Sequence, residues 1–109
     1  MSYDEKIADR IRQVLSTESG VVEKIMFGGL TFMVHGNMCC GVVVRDLMVR
    51  VGPDQYSESL TQPHTRKMDS AGRPLKGFVF VATEGFRKDE DLEAWITRAL
   101  NFVKTLPAK

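Results

Sequence analysis

The sequence predicts an α+β fold, a two-layer sandwich in which an antiparallel sheet of about five or six strands packs against helices on one face. Between Glu23 and Val51, alternating apolar runs are separated by very short connections, which is typical of an antiparallel meander. Both ends of the chain instead repeat apolar residues at helical spacing. The predicted order is α-β-β-β-β-α-β-β-α, and we expect a single domain over all 109 residues.

The first element is predicted to be a helix from Ser2 to about Ser16. Ile7 and Ile11 share one helical face in this segment. Ser2 and Glu5 have the spacing of a capping box, in which each side chain bonds the backbone N–H of the other. We therefore expect this box to start the helix.

Four extended runs follow the first helix. They are Glu23–Phe27, Leu30–Val34, Met38–Val44 and Leu47–Val51. The turns between them are predicted at Gly28-Gly29, His35-Gly36-Asn37 and Arg45-Asp46. Because Leu47, Val49 and Val51 alternate with Met48 and Arg50, the sheet is expected to have one covered face and one wetter face.

The second half of the chain begins with a short helix after Gly52, for which Pro53 is a suitable first residue. A polar and basic stretch comes next, with a brief strand around Thr65–Met68 and a turn at Ser70-Ala71-Gly72. Phe78–Val81 is rich in β-branched and aromatic residues and predicts a strand. The last helix is predicted from about Asp89 to Thr105, because its first turn is acidic and an apolar stripe follows.

Composition and charge exclude several classes of protein. Fifteen Lys and Arg balance 14 Asp and Glu, so the net charge of +1 gives no overall electrostatic attraction for nucleic acid or an anionic membrane. The N-terminus lacks the apolar stretch of a secretory signal, and no apolar run approaches the ~18 residues that span a bilayer. We therefore expect a cytoplasmic protein without a membrane partner.

Candidate chemistry is confined to a few residues. Cys39 and Cys40 are adjacent, and regular strand alternation would send their sulfurs to opposite faces. With His35 in the preceding turn, either thiol is a candidate for a reactive thiol or a ligand, as in a thiol-dependent enzyme or a small-molecule-binding domain. The alternative is a buried cysteine beside an ordinary reduced thiol. No set of residues has the spacing of a metal site, so we expect no metal, no cofactor and no catalytic residue.

A basic region lies between residues 66 and 88. It contains Arg66, Lys67, Arg73, Lys76, Arg87 and Lys88. Such a region could contact an acidic protein or the phosphates of a nucleic acid, although the sequence shows no helix-turn-helix pattern. A solvated loop is the alternative. The sheet region is also rich in methionine, which serves either to fill a core or to form an adaptable binding face.

Three segments together resemble the N-terminal domain of the TfoX/Sxy family. They are Met26–Val42, which opens Met-Phe-Gly-Gly, Leu47–Gly52, and Gly72–Val79, which opens Gly-Arg-Pro-Leu-Lys-Gly. The resemblance covers nearly the whole chain and implies an α+β fold similar to secretion chaperones. Named members of the family act as co-activators of competence genes beside a separate DNA-binding regulator, and they carry a second, C-terminal domain that we expect to be absent here.

The resemblance implies a non-enzymatic regulatory or protein-interaction domain, because no catalytic residues belong to the family pattern. Arg50, Arg73 and Lys76 match basic positions of the family, and with Arg66 and Lys67 they form the candidate contact surface. The expected partner is another protein. Self-association as a homodimer is also expected, since pairing would hide the apolar face of the sheet. Weak binding of nucleic acid through the basic region is the alternative.

Overall fold

The computed structural model describes residues 3–70 and 73–109, without the side chains of Ser70, Arg73 and Pro74. The helices in this part of the chain are α1 (Glu5–Val14), α2 (Pro53–Leu60) and α3 (Asp89–Val103). The strands are β1 (Val21–Met26), β2 (Gly29–Val34), β3 (Asn37–Val43), β4 (Asp46–Arg50), β5 (Thr65–Ser70) and β6 (Arg73–Val81). Short 3-10 helices span Leu15–Thr17 and Thr83–Gly85.

The strands form one antiparallel sheet in the order β1-β2-β3-β4-β6-β5. The first four strands are a simple meander. After β4 the chain passes through α2 to the far edge of the sheet, where it becomes β5, and β6 then returns between β5 and β4. The predicted fold class and element order are confirmed.

The main hydrophobic core lies between the helices and one face of the sheet. Ile11 of α1 and Ile96 of α3 are fully buried there against strand residues such as Phe32 and Val49. Tyr56 and Leu60 of α2 pack against the same core. All three helices therefore cover the same face, and burial of each large apolar side chain contributes about 1.5–3 kcal/mol to folding.

The first helix begins differently from the prediction. Asp4 is its N-cap, and the Asp4 carboxylate accepts hydrogen bonds from the backbone N–H groups of Lys6 and Ile7 at 2.9 and 3.1 Å. The predicted capping box of Ser2 and Glu5 is wrong, because Glu5 is already the first helical residue. Ser2 itself lies outside the described residues. An aspartate at this position also complements the positive end of the helix dipole.

A β-bulge in β3 changes the placement of the two cysteines. Phe32 is opposite Cys40 and Met33 is opposite Met38, so Cys39 is the extra residue. A bulge interrupts the regular alternation of side chains. Cys39 and Cys40 consequently both lie in the main core, and the expectation that they face opposite sides of the sheet is wrong.

The hairpin of β5 and β6 is longer than predicted, since its strands extend to Ser70 and begin at Arg73. Its register shifts between Lys67 and Asp69. Gly77 has φ +93°, a conformation that strongly favours glycine, and the Gly77 carbonyl accepts hydrogen bonds from the N–H groups of the two residues that follow β4. Of the predicted turn at Ser70-Ala71-Gly72, Ala71 and Gly72 lie outside the described residues.

The last residues of the chain fold back onto the turn between β2 and β3. The Asn37 amide donates to the carbonyl of Pro107 at 2.9 Å, and the N–H of Lys109 donates to the carbonyl of His35 at 2.8 Å. Asn37 is buried, so its hydrogen bond satisfies a polar group that water cannot reach. Within residues 3–70 and 73–109, no helix has the length and apolar character needed to cross a membrane.

Candidate functional site

The second face of the sheet carries a separate apolar cluster. Met48, Met68 and Phe78 are buried in it, and Met38, Leu75 and Phe80 pack against it while partly exposed. All six belong to strands, because the helices lie on the other side. Met33 shares this face, since it lies opposite Met38 in the β2–β3 register. We call these seven residues the methionine face.

Arg50 borders the methionine face at the end of β4. Its guanidinium lies 5.4 Å from the ring centroids of both Phe78 and Phe102, and it donates to the carbonyl of Met38 at 3.3 Å. Burial lowers the pKa of Arg50 from its ordinary value. The charge is thus held between two aromatic rings, an arrangement that favours a fixed guanidinium over a mobile one.

Arg66 crosses the methionine face from its far edge. The guanidinium of this β5 residue lies 4.8 Å from the ring centroid of Phe80, in the neighbouring strand β6. It continues to Asp46 of β4, where an Nη atom lies 2.6 Å from a carboxylate oxygen. Arg66 therefore spans one strand, and its charge is balanced on the face itself.

The remaining members of the predicted contact surface do not join these two arginines. Lys67 lies opposite Val79, whose side chain is in the main core, so Lys67 belongs to the helix-covered side of the edge strand. Lys76 is exposed. The side chain of Arg73 lies outside the described residues. Of the five predicted residues, the structure thus brings Arg50 and Arg66 to the methionine face.

The edge strand β1 extends the apolar surface of the methionine face at one residue, Val22, which lies opposite Met33 and is 53% exposed. Ile25 is 65% exposed but lies opposite Leu30, on the helix-covered side. Phe27 in the following turn is 39% exposed. Exposed apolar groups of this size beside an uncovered sheet face are typical of interaction surfaces.

The cysteines and His35 lie in different environments. Both thiols have no exposed surface, whereas His35 is exposed in the β2–β3 turn, beside Gly20. A hydrogen bond to Cys39 is the main cause of the raised pKa of the Cys40 thiol, and burial is the second cause. A raised pKa and burial both reduce the thiolate population that a nucleophile or a metal ligand requires.

Metal ligands do not cluster in the described part of the chain. Among residues 3–70 and 73–109, no three His, Cys, Asp or Glu side chains are close enough to hold one ion. The main candidate for a functional site is therefore the methionine face with Arg50 and Arg66.

Comparison with protein-family models identifies the family of this chain. The family model for the TfoX N-terminal domain matches residues 13–103, which is most of the chain. The chain belongs to the TfoX N-terminal domain family. The resemblance found in the sequence is confirmed. Searches of the curated proteins and of the solved structures gave no significant match. The methionine face lies entirely within the part of the chain that matches the TfoX N-terminal domain.

Two residues of the site in this TfoX N-terminal domain were not predicted. The sequence predicts only a turn at Asp46, yet its carboxylate accepts a hydrogen bond from Arg66, which lies two strands away. Phe102 was not singled out, yet its ring contacts Arg50 from the end of α3. Neither contact has a local sequence signal, because each joins segments that only the strand order and the helix position bring together.

Proposed function

We propose that this protein is a non-enzymatic regulatory domain, similar to the N-terminal domain of TfoX competence regulators, that binds another protein through the methionine face. The observation that carries the proposal is the composition of this face. Met33, Met38, Leu75 and Phe80 are its partly exposed side chains, they lie over buried Met48, Met68 and Phe78, and no helix of the described residues packs against them. Methionine is flexible and polarisable, so such a surface adapts to a partner's side chains.

The charges around the methionine face favour a partner that is apolar with acidic flanks. Lys24 of β1 lies opposite Thr31 on this side of the sheet, and Arg50 and Arg66 lie at its other borders. Asp46 balances the charge of Arg66, so Lys24 and Arg50, which form no ion pair within the described residues, supply the positive charge that is left for a partner. A second copy placed face to face would bring basic groups together, whereas acidic residues beside an apolar segment would complement them.

Selection from a random peptide display library tests the proposal directly. We expect the protein to enrich peptides that combine apolar residues with Asp or Glu, and the variant Met33→Glu to lose them. The introduced carboxylate would repel the acidic flanks and break the apolar contact. Thr97→Glu, which adds the same charge on the exposed side of α3, is the control and is expected to retain the peptides.

Two results would contradict the proposal. Enrichment of peptides that bind both the wild-type protein and Met33→Glu equally would place the interaction elsewhere. Sedimentation velocity that shows a concentration-dependent dimer, abolished by Met33→Glu, would assign the face to a second copy of the chain. The homodimer expected from the sequence is thus not expected to form through this face, and Met33→Glu is expected to leave the oligomeric state unchanged.

A further inference from the structure

A cleft of about 260 Å³ lies where the start of α1, the turn between β3 and β4, and the segment before α3 meet. It is separate from the methionine face, because its lining comes from the helix-covered side and from one end of the sheet. The charged residues in its lining are Lys6, Arg10, Arg45, Arg87 and Asp4. Four cations thus surround one carboxylate, although the protein as a whole carries a net charge of only +1.

The single carboxylate of the lining, that of Asp4, already accepts hydrogen bonds from the protein backbone. Asp4 caps α1 by accepting the N–H groups of Lys6 and Ile7. Its distance to the Arg45 guanidinium is 3.8 Å, and the Arg45 side chain is 72% exposed, so this ion pair is weak. Asp4 therefore neutralises little of the surrounding positive charge.

Arg10 is held rigidly in the wall of the cleft. One Nη atom donates to the backbone carbonyls of Phe86 and Arg87, at 2.8 and 3.1 Å. The guanidinium also lies 5.7 Å from the centroid of the Phe86 ring. The same atom contacts Asp89 at 3.2 Å, but that carboxylate is 94% exposed and is strongly screened by water. Within the described residues, these are the hydrogen bonds of the guanidinium, and all three use the same nitrogen.

Lys6 and Arg87 complete the positive lining. Neither forms an ion pair within the described residues at a distance of 4.0 Å or less. Ile7 and Phe86 contribute an apolar part to the wall of the same cleft. The site thus combines cationic groups from three segments of the chain with a small apolar surface.

From this arrangement we infer that the cleft binds a small molecule that bears a phosphate group. A phosphate dianion matches several cationic groups at once, and guanidinium groups recognise its oxygens through paired hydrogen bonds. The volume of about 260 Å³ is slightly below the roughly 300–1,000 Å³ of typical ligand pockets, so the cleft suits a small phosphate-bearing molecule. This site is independent of the function proposed for the methionine face.

Isothermal titration calorimetry of the full chain with adenosine monophosphate and with pyrophosphate tests the inference. We expect saturable binding that weakens as salt concentration rises, since the contacts are electrostatic. Arg45→Glu is expected to weaken binding by at least about tenfold, because it removes one charge-assisted contact and adds repulsion. Lys76→Glu, an equal change of charge at an exposed residue outside the cleft, is the control.

The outcomes distinguish a small phosphate-bearing molecule from the phosphate backbone of a nucleic acid. Saturable binding of either probe that Arg45→Glu weakens and Lys76→Glu does not supports the inference. No binding at millimolar concentration, or equal effects of the two variants, would overturn it. Duplex DNA that binds more tightly than the mononucleotide, with the same dependence on Arg45, would also overturn it in favour of a nucleic-acid backbone. Unchanged Trp95 fluorescence confirms that each variant is folded.

Discussion

Thr31 of β2 is unusual because its hydroxyl is buried without a hydrogen-bond partner in the described residues. The side chain is 1% exposed, and its Oγ1 atom has no hydrogen-bond partner within residues 3–70 and 73–109. A buried hydroxyl without a partner costs free energy that an apolar group of the same shape does not. The unpaired hydroxyl of Thr31 therefore lowers the stability of the folded protein.

We predict that Thr31→Val raises the free energy of unfolding by about 1 kcal/mol, because valine keeps the shape and removes the buried hydroxyl. Urea denaturation measures the change. Thr31→Ser keeps the hydroxyl and loses a methyl group, so it is expected to be less stable than the wild-type protein. A less stable Thr31→Val protein would show that the hydroxyl is satisfied in solution.

The contact between α1 and β1 links a helix to the edge of the sheet. Arg12 donates from two nitrogens to the two carboxylate oxygens of Glu23, at 2.8 and 2.9 Å. This hydrogen bonding lowers the pKa of Glu23 from its ordinary value of 4.5. The folded carboxyl therefore binds its proton less readily than the unfolded one. The resulting stabilisation is present above pH 4.5 and is lost as pH falls through the lower folded pKa.

We predict that Glu23→Gln lowers the free energy of unfolding at neutral pH by less than about 1 kcal/mol, since both side chains are more than a third exposed and water screens the pair. The difference from the wild-type protein is expected to vanish in acid. Urea denaturation of both proteins, from neutral pH down through the pKa of folded Glu23, measures this difference in the free energy of unfolding. Glu93→Gln removes an exposed carboxylate of α3 and serves as the control. A difference that persists at low pH would assign the effect to something other than the ion pair.

The same edge strand carries a charge pattern that opposes pairing with a second copy. A two-fold antiparallel contact centred on β1 would place either Glu23 or Lys24 directly opposite its own copy. Like charges at directly opposite positions destabilise a sheet. The exposed side chains of Val22 and Ile25 are thus accompanied by charges that protect the edge from self-association.

The predictability of the elements differs for physical reasons. The buried stripe of α3 follows from local periodicity, and the structure confirms it. The three turns of the meander end one residue earlier than predicted, because Gly29, Asn37 and Asp46 are already the first residues of β2, β3 and β4. The bulge at Cys39 depends on how β3 aligns with β2, which no local pattern determines. The same holds for Arg50, whose environment is set by Phe102 across the fold. Sequence alone identified both residues but not what surrounds them.

At the scale of the whole molecule, the two faces of one sheet hold two apolar clusters of unequal size. The larger includes Trp95, the single tryptophan, which is 8% exposed and lies 4.9 Å below the Arg98 guanidinium. The smaller is the interior of the methionine face. Because both clusters share the strands β4 and β6, disruption of either removes part of the other.

We predict one cooperative unfolding transition, in which Trp95 fluorescence and far-ultraviolet circular dichroism have the same midpoint in urea. Ile96→Ala, which empties part of the main core, is expected to cost about 2–5 kcal/mol and to shift both signals together. Separate midpoints for the two signals would show that the clusters unfold independently.

The return of the last residues to the β2–β3 turn determines where a tether leaves the molecule. The N–H of Lys109 donates to the carbonyl of His35, whereas Arg45, which lines the cationic cleft, lies just beyond the opposite end of β3. A strand of seven residues spans on the order of 20 Å. Immobilisation through a C-terminal tag would therefore hold the molecule by one end of the sheet and leave the cleft pointing away from the support.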